Sequence, residues 1–376
     1  MEMSDRDAAL AYAAFEDGNL EAAATYTDAA YQGGFKPIQQ LGAVIAARRG
    51  DYADAIARLE AMEDHSEATA ALLIRLQLLA GDAKKGGQLL LDCCKANAFG
   101  PPLHPIPRWQ GEPLEGRRIV AWGGGLGDDV LYARFLPMLA ESHGAEVILQ
   151  CRPGLVDLFR SLSGVSGVLP LETEVPDCDF HVQTAELAAH FGIARGRIWD
   201  GPYLHATAPL ALSGDGLKVG LVWATTATHW EGGSRSTSLA EMAPLASVPG
   251  VRLYSLQFGA PTAQLTPPPE GMEVEDLSDR IKGFANTAAA IAGLDLVITI
   301  DTVVANLAGA MGVPVWVATP SMPDWRWGLQ GDRTPWFPSA TVYRQPRGGS
   351  WRELFAAMAS DLTSFVREAG KRSASR

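Results

Sequence analysis

The sequence predicts an α/β protein, two doubly wound halves of parallel sheet flanked by helices, preceded by an all-α helical repeat. Three observations predict it. The first hundred residues repeat a Gly-led turn at a spacing of about 32 residues. From Arg117 onward, short apolar runs alternate with helical stretches, the pattern of βαβ units. The apolar run Leu296 to Ile300 delivers Asp301-Thr302 to the start of a small-residue helix, the kind of junction at which doubly wound sheets hold ligands.

The repeat comes first. Gly18-Asn19-Leu20, Gly50-Asp51-Tyr52 and Gly81-Asp82-Ala83 each mark a helix-to-helix turn, with a small residue following at Ala23, Ala55 and Gly86. Glycine takes the positive φ of such a turn at little cost, and the small residue lets paired helices approach closely. Between the marks the chain keeps helical spacing, as at Ala55, Ile56, Leu59 and Met62. An α-solenoid over residues 1–98 follows; it resembles tetratricopeptide repeats, although the proline that closes each unit is missing. Such a stack either binds a peptide or protein on its concave face or props the next domain. The proline-rich run Phe99 to Pro107 ends helical structure and opens a linker over 99–116.

The first α/β half, 117–212, has strands at Ile119–Trp122, Glu146–Cys151, Gly167–Leu171 and Phe180–Gln183, with a helix from Asp129 to Ser142. The second half, 213–370, has strands at Lys218–Trp223, Arg252–Gln257, Leu296–Ile300 and Val313–Ala318, closed by a helix from Trp351 to Ala369. Ligands of such sheets sit at the carboxyl ends of the strands, so the cleft between the halves is the expected site.

Two junctions line that cleft. The turn Trp122-Gly123-Gly124-Gly125-Leu126-Gly127-Asp128-Asp129 follows a strand and opens a helix, and its glycines let backbone approach a ligand. It is neither a dinucleotide fingerprint nor a P-loop, because Asp128 and Asp129 occupy the place of a pyrophosphate and no Lys-Ser/Thr pair follows. Asp128 reads either as a helix cap or as a carboxylate that accepts a proton from an attacking hydroxyl, with Asp129 as the runner-up base. At the second junction, Asp301 and Thr302 read either as an N-cap or as a nucleotide-sugar site, with the helix start holding a phosphate and Asp301 a sugar hydroxyl. Thr302 to Pro323 carries no charge, but Gly309, Gly312, Pro314 and Pro320 break it too early for the ~20-residue helix a bilayer needs.

Other polar candidates are Arg235, a fixed charge for a diphosphate or a solvated loop arginine, and Gln257, a donor contact or a satisfied loop amide. His229 and Trp230 lie in the loop Ala224 to Ser236, whose Gly and Ser content is that of a mobile cover. Trp325 and Trp327, flanking Arg326, either wall the donor pocket or pack in the core, and Asp324 reads as a structural cap.

A net charge of −12 argues against a nucleic-acid partner. The acidic start Met1 to Asp7 lacks the apolar run of a signal peptide, so a cytoplasmic location is expected. Cys93, Cys94, Cys151 and Cys178 show no metal-ligand spacing and read as reduced thiols, so neither a metal nor a cofactor is expected.

Taken together, Gly125-Leu126-Gly127-Asp128, Arg134-Phe135-Leu136-Pro137, Arg235-Ser236, Leu256-Gln257, Asp301 to Ala305, Leu307 to Ala310, Pro314-Val315-Trp316, Asp324 to Trp327, Tyr343-Arg344-Gln345 and Trp351 resemble the bacterial tetratricopeptide proteins whose C-terminal part is similar to glycosyltransferase family 9, the heptosyltransferase family. The resemblance covers about residues 105–365. It implies the two-domain glycosyltransferase B fold and inversion at the sugar carbon without a metal. It also implies Asp128 as general base near Gly125, Gly127 and Asp129, the Thr302 and Val303 amides on the donor diphosphate, and Asp301 near the donor sugar. Where that family carries His in the helix after Asp-Thr, this chain has Asn306, which hydrogen-bonds but carries no proton or charge. The expected function is transfer of a sugar from a nucleotide sugar to an acceptor hydroxyl, on a protein recruited by the helical repeat. The competing expectation is a non-catalytic nucleotide-sugar-binding or scaffold protein with a degenerate transferase fold.

Overall fold

The computed structural model describes residues 3–63, 66–97, 102–193, 198, 201–225 and 235–374. The chain forms two compact units, Met1–Leu103 with Met322–Leu329, and His104–Ser321 with Gln330–Arg376.

In the first unit, helices α1 (Met3–Glu16), α2 (Leu20–Gln32), α3 (Gln39–Arg49), α4 (Tyr52–Glu60), α5 (Glu67–Leu79) and α6 (Ala83–Lys95) each pack on the next in sequence. The repeated Gly-Asn/Asp pair explains the turns. Gly18, Gly50 and Gly81 take φ of 75, 83 and 92°, and the side chains of Asn19, Asp51 and Asp82 accept from the amides of Ala22, Asp54 and Lys85. Each pair therefore ends one helix and caps the next. At Gly86 a Cβ would meet Leu78 Cδ2 at 2.6 Å, the close approach that its small size allows.

Met322–Leu329 belongs to this helical unit although it follows a strand of the second. Its single turn Trp325–Trp327 packs near α5, capped by Asp324, whose carboxylate is 2.7 Å from Arg326 Nε and 3.8 Å from Arg75 Nε. Asp324 is thus the structural cap that its position predicted, and Trp327 is fully buried.

The second unit holds two wholly parallel sheets. Strands β1 (Arg118–Trp122), β2 (Glu146–Cys151), β3 (Val165–Pro170) and β4 (Phe180–Gln183) form one, in the order β3-β2-β1-β4. Helices α7 (Leu126–Tyr132), α8 (Phe135–His143), α9 (Val156–Phe159) and α10 (Thr184–Leu187) connect and follow them. The other sheet, in the order β10-β9-β8-β5-β6-β7, comprises β5 (Leu217–Val222), β6 (Val251–Ser255), β7 (Val274–Asp276), β8 (Leu296–Ile300), β9 (Val315–Thr319) and β10 (Ala340–Arg344). Its helices are α11 (Ala243–Ala246), α12 (Phe284–Ala292), α13 (Val303–Ala310) and α14 (Trp351–Ala374). Largely apolar residues make β5, β8 and β9 buried along almost their whole length, as strands covered on both faces must be.

Three features depart from the sequence reading. The helix expected from Asp129 to Ser142 is two, α7 and α8, because Pro137 has no N–H to give the Ala133 carbonyl, which takes Leu136 N–H instead. Strands β7 and β10 are short or half-polar, and a period-based reading passes over them. Within the expected linker, Pro107 and Trp109 hydrogen-bond to His181 on β4 and Arg108 bridges it, so that stretch runs along the sheet.

Candidate active site

In each sheet the chain winds outward from a central strand and then returns to its other side, which places a crevice between β1 and β4 and another between β5 and β8. The glycine turn leaves β1, and Asp301 leaves β8, so both predicted junctions sit at these switch points.

The turn is built around a carboxyl group. A Cβ at Gly123 would fall 1.7 Å from Asp129 Oδ1 and 3.0 Å from Thr184 Oγ1, so with Asp129 in this place only glycine fits there. Gly125 is the extended N-cap of α7, with no side-chain cap, and Arg152, immediately after β2, donates from Nε to the Gly124 carbonyl at 2.9 Å. Asp128 is exposed on the first turn of α7, whereas Asp129 is 2% exposed. Burial first, and the neighbouring Asp128 charge second, push the Asp129 carboxyl up to about 7, against the opposing pull of Arg152 and the Gly124 backbone N–H. The Cys151 thiol is likewise pushed up to about 12, mainly by burial, with Asp129 adding to it.

Opposite the turn, α13 begins at Thr302 without a side-chain cap, because the Thr302 hydroxyl pairs instead with Thr299 Oγ1 at 3.1 Å. Among the described residues, the Thr302 side chain therefore caps none of the first-turn amides of α13, which lie at the positive end of the helix dipole. Asp301, 4% exposed, lies 3.2 Å from Arg235 Nη1. Asn306 Nδ2 donates to the Gly127 carbonyl at 3.0 Å, and a Cβ at Gly127 would stand 3.1 Å from that nitrogen. Asn306 lies one helical turn into α13, about 6 Å along the axis from Thr302. This single bond therefore brings the Gly127-Asp128 step and the α13 N-terminus together.

The structure accordingly gathers Gly125, Gly127, Asp128, Asp129, Arg235, Asp301, Thr302, Val303 and Asn306 around one place. Several of them have partners within the protein: Arg235 and Asp301 hold each other, Asn306 holds Gly127, and Thr302 pairs with Thr299. Gln257 takes the satisfied-amide alternative. Its Oε1 accepts from Trp223 and Ala224 N–H at 3.0 and 2.9 Å, and its Nε2 donates to the Ala224 and Phe258 carbonyls, which fills its hydrogen-bonding capacity. His229 and Trp230 lie outside the described residues. Trp325, Arg326 and Trp327 belong to the helical unit, and Trp327 takes the packing alternative.

Two residues had no role assigned from sequence. Arg134 is 7% exposed; it donates to the carbonyls of Leu131, Ile198 and Trp336 and lies over the Tyr203, Trp336 and Phe337 rings, tying α8 to the chain before β10. Arg152 steadies the glycine turn; its position just past the carboxyl end of β2, the neighbour of β1, was the available signal.

No family model matches the chain. It is 27% identical over 324 residues to Protein FlbA of Caulobacter vibrioides, covering 71% of this chain and 51% of FlbA, so the chain spans about half the length of the curated relative it matches. Among solved structures it is similar to a glycosyl transferase family 9 protein from Veillonella parvula, with 13% identity, a TM-score of 0.47, and 62% of this chain and 87% of that one covered. E. coli ADP-heptose LPS heptosyltransferase II aligns with 13% identity and a TM-score of 0.48, over 67% of this chain and 99% of that one. The Thermobaculum terrenum O-GlcNAc transferase aligns over 97% of this chain and 92% of its own at a TM-score of 0.34. Among the described residues no helix is long and apolar enough to cross a membrane.

Proposed function

We propose that the chain is an inverting, metal-independent glycosyltransferase that moves a sugar from a nucleotide sugar to an acceptor hydroxyl. The observation that carries the reading is the Asn306–Gly127 bond, which sets an exposed carboxylate within about a helical turn of an uncapped helix start. The donor diphosphate is held by the Thr302 and Val303 amides and the α13 dipole, with the Arg235 guanidinium beside it. Asp301 orients Arg235 and faces the donor sugar. Asp128, exposed beside this anion site, accepts the proton of the acceptor hydroxyl as its oxygen attacks the sugar carbon, and the nucleoside diphosphate departs with the bonding electrons.

A thermal-shift panel of ADP-, UDP-, GDP- and CMP-sugars, with ADP-heptose included because a heptosyltransferase is among the similar structures, identifies the donor. Release of nucleotide is then measured on each hit. A positioned base supplies ~10²–10⁴ in rate, so Asp128→Ala lowers turnover by that order while donor binding persists. Unchanged turnover removes Asp128 from the role. The helical unit is assigned to recruiting a protein acceptor, and cytoplasmic residence goes with that assignment.

A second reading, a nucleotide-sugar-binding scaffold without catalysis, is favoured by Asn306, which is 1% exposed and committed to backbone where a transferase of this type carries a histidine. Donor binding without hydrolysis or transfer selects it.

A further inference from the structure

Asp129 has no part in the mechanism above, yet it is the most constrained side chain of the turn. Its carboxyl is 2% exposed, and among the described residues neither oxygen makes a well-formed hydrogen bond, the Gly124 N–H lying near enough only to oppose the upward shift. Oδ1 fills the hollow that a side chain at Gly123 would need, and the Thr184 hydroxyl borders the same hollow. The titratable and charged groups facing it are Asp128 on its own helix and Cys151 and Arg152 at the end of β2. Arg152, whose charge opposes the shift, is itself anchored to the Gly124 carbonyl. Such surroundings suit a neutral carboxyl; an anion there is poorly solvated and stands beside the Asp128 charge.

We propose that Asp129 is a positioning residue for Asp128: its uncharged carboxyl, packed under Gly123, fixes the glycine turn, and its ionisation loosens the turn and withdraws Asp128 from its working position. This rests on the transferase reading with Asp128 as base. The carboxyl's tendency to hold its proton up to about 7 puts the change in the neutral range. Activity then declines as pH rises through that range and the turn loosens, and Asp129→Asn, which keeps the shape and cannot ionise, removes the decline.

The test uses the full chain in two measurements. Hydrogen exchange over residues 122–132, corrected for the intrinsic effect of pH, is compared in wild type and Asp129→Asn between pH 6 and 8.5. Protection is expected to fall at least tenfold in wild type and to stay level in the variant. Hydrolysis of the nucleotide sugar that binds best in the panel is followed over the same range, with the high-pH decline expected in wild type and absent in the variant. As a second line, Asp129→Gly, which removes the carboxyl that fills the hollow under Gly123, is expected to lose at least tenfold in turnover while donor binding persists. Equal pH dependence of exchange in both proteins, a decline that persists in Asp129→Asn, or wild-type turnover in Asp129→Gly overturns the proposal alone. If wild type hydrolyses no nucleotide sugar at any pH, the transferase reading falls and the positioning role falls with it.

Discussion

At the scale of single residues, the proton on Asp129 is also a stability term. An aspartate releases its proton near 3.8 when unfolded and holds it to about 7 here, so over that interval the folded state binds the extra proton. Stability therefore falls as pH rises from about 4 to about 7 and levels off above, by at most ~4 kcal/mol at 1.36 kcal/mol per tenfold change in proton affinity. Asp129→Asn is expected to gain stability relative to wild type across the same interval, by about 1–4 kcal/mol at pH 8 and by little at pH 4. Denaturant melts at the two pH values check it, and a constant difference between the proteins counts against the buried, protonated carboxyl. None of this was legible in the sequence, where Asp128 and Asp129 are two equivalent neighbours. On a helix, consecutive residues point about 100° apart, and only packing on β2 and α10 shows which one is buried.

At the scale of elements, α13 shows how a helix start becomes available. Its strand, its first residue and its small-residue composition were all visible, since a run of Val, Ile and Leu followed by Asp-Thr and Ala-rich chain has few other readings. The diversion of the Thr302 hydroxyl to Thr299 was not, because capping preference predicts the opposite. The small residues also have a packing role: a Cβ on Gly309 would stand 2.5 Å from two atoms of the fully buried Phe337 ring. Alanine gains ~1 kcal/mol in helix propensity over glycine, but overpacking against a fixed ring costs ~1–3 kcal/mol. Gly309→Ala is therefore expected to destabilise the protein by up to ~2 kcal/mol, and a rise in melting temperature would show that Phe337 moves aside. Asn306 was singled out from the sequence as a departure from a family pattern, yet its partner, the carbonyl of Gly127, is 179 positions away and invisible without the fold.

At the scale of the whole molecule, Met322–Leu329 is the unexpected part. It lies between β9 and β10 in the chain and yet packs with the helical unit. Removing residues 1–98 strips the packing from Trp327 and takes Arg75 from the Asp324–Arg326 pair. The truncated chain is expected to bind a hydrophobic dye and to melt several degrees lower than the full chain; equal melting would mean that the segment is held by its own turn alone. What the sequence determined by itself was local: which stretches are helix or strand, where turns fall, and that two strand-to-helix junctions carry carboxylates. Periodicity, capping chemistry and glycine conformation act within a few residues and are read directly from the order of side chains. Only tertiary structure decided which of those carboxylates is buried and which exposed, that Gln257, Arg235 and Asp301 have partners within the protein, and that the Asp-Trp-Arg-Trp segment joins the helices. Those outcomes depend on burial and on contacts between distant positions, and both arise from packing.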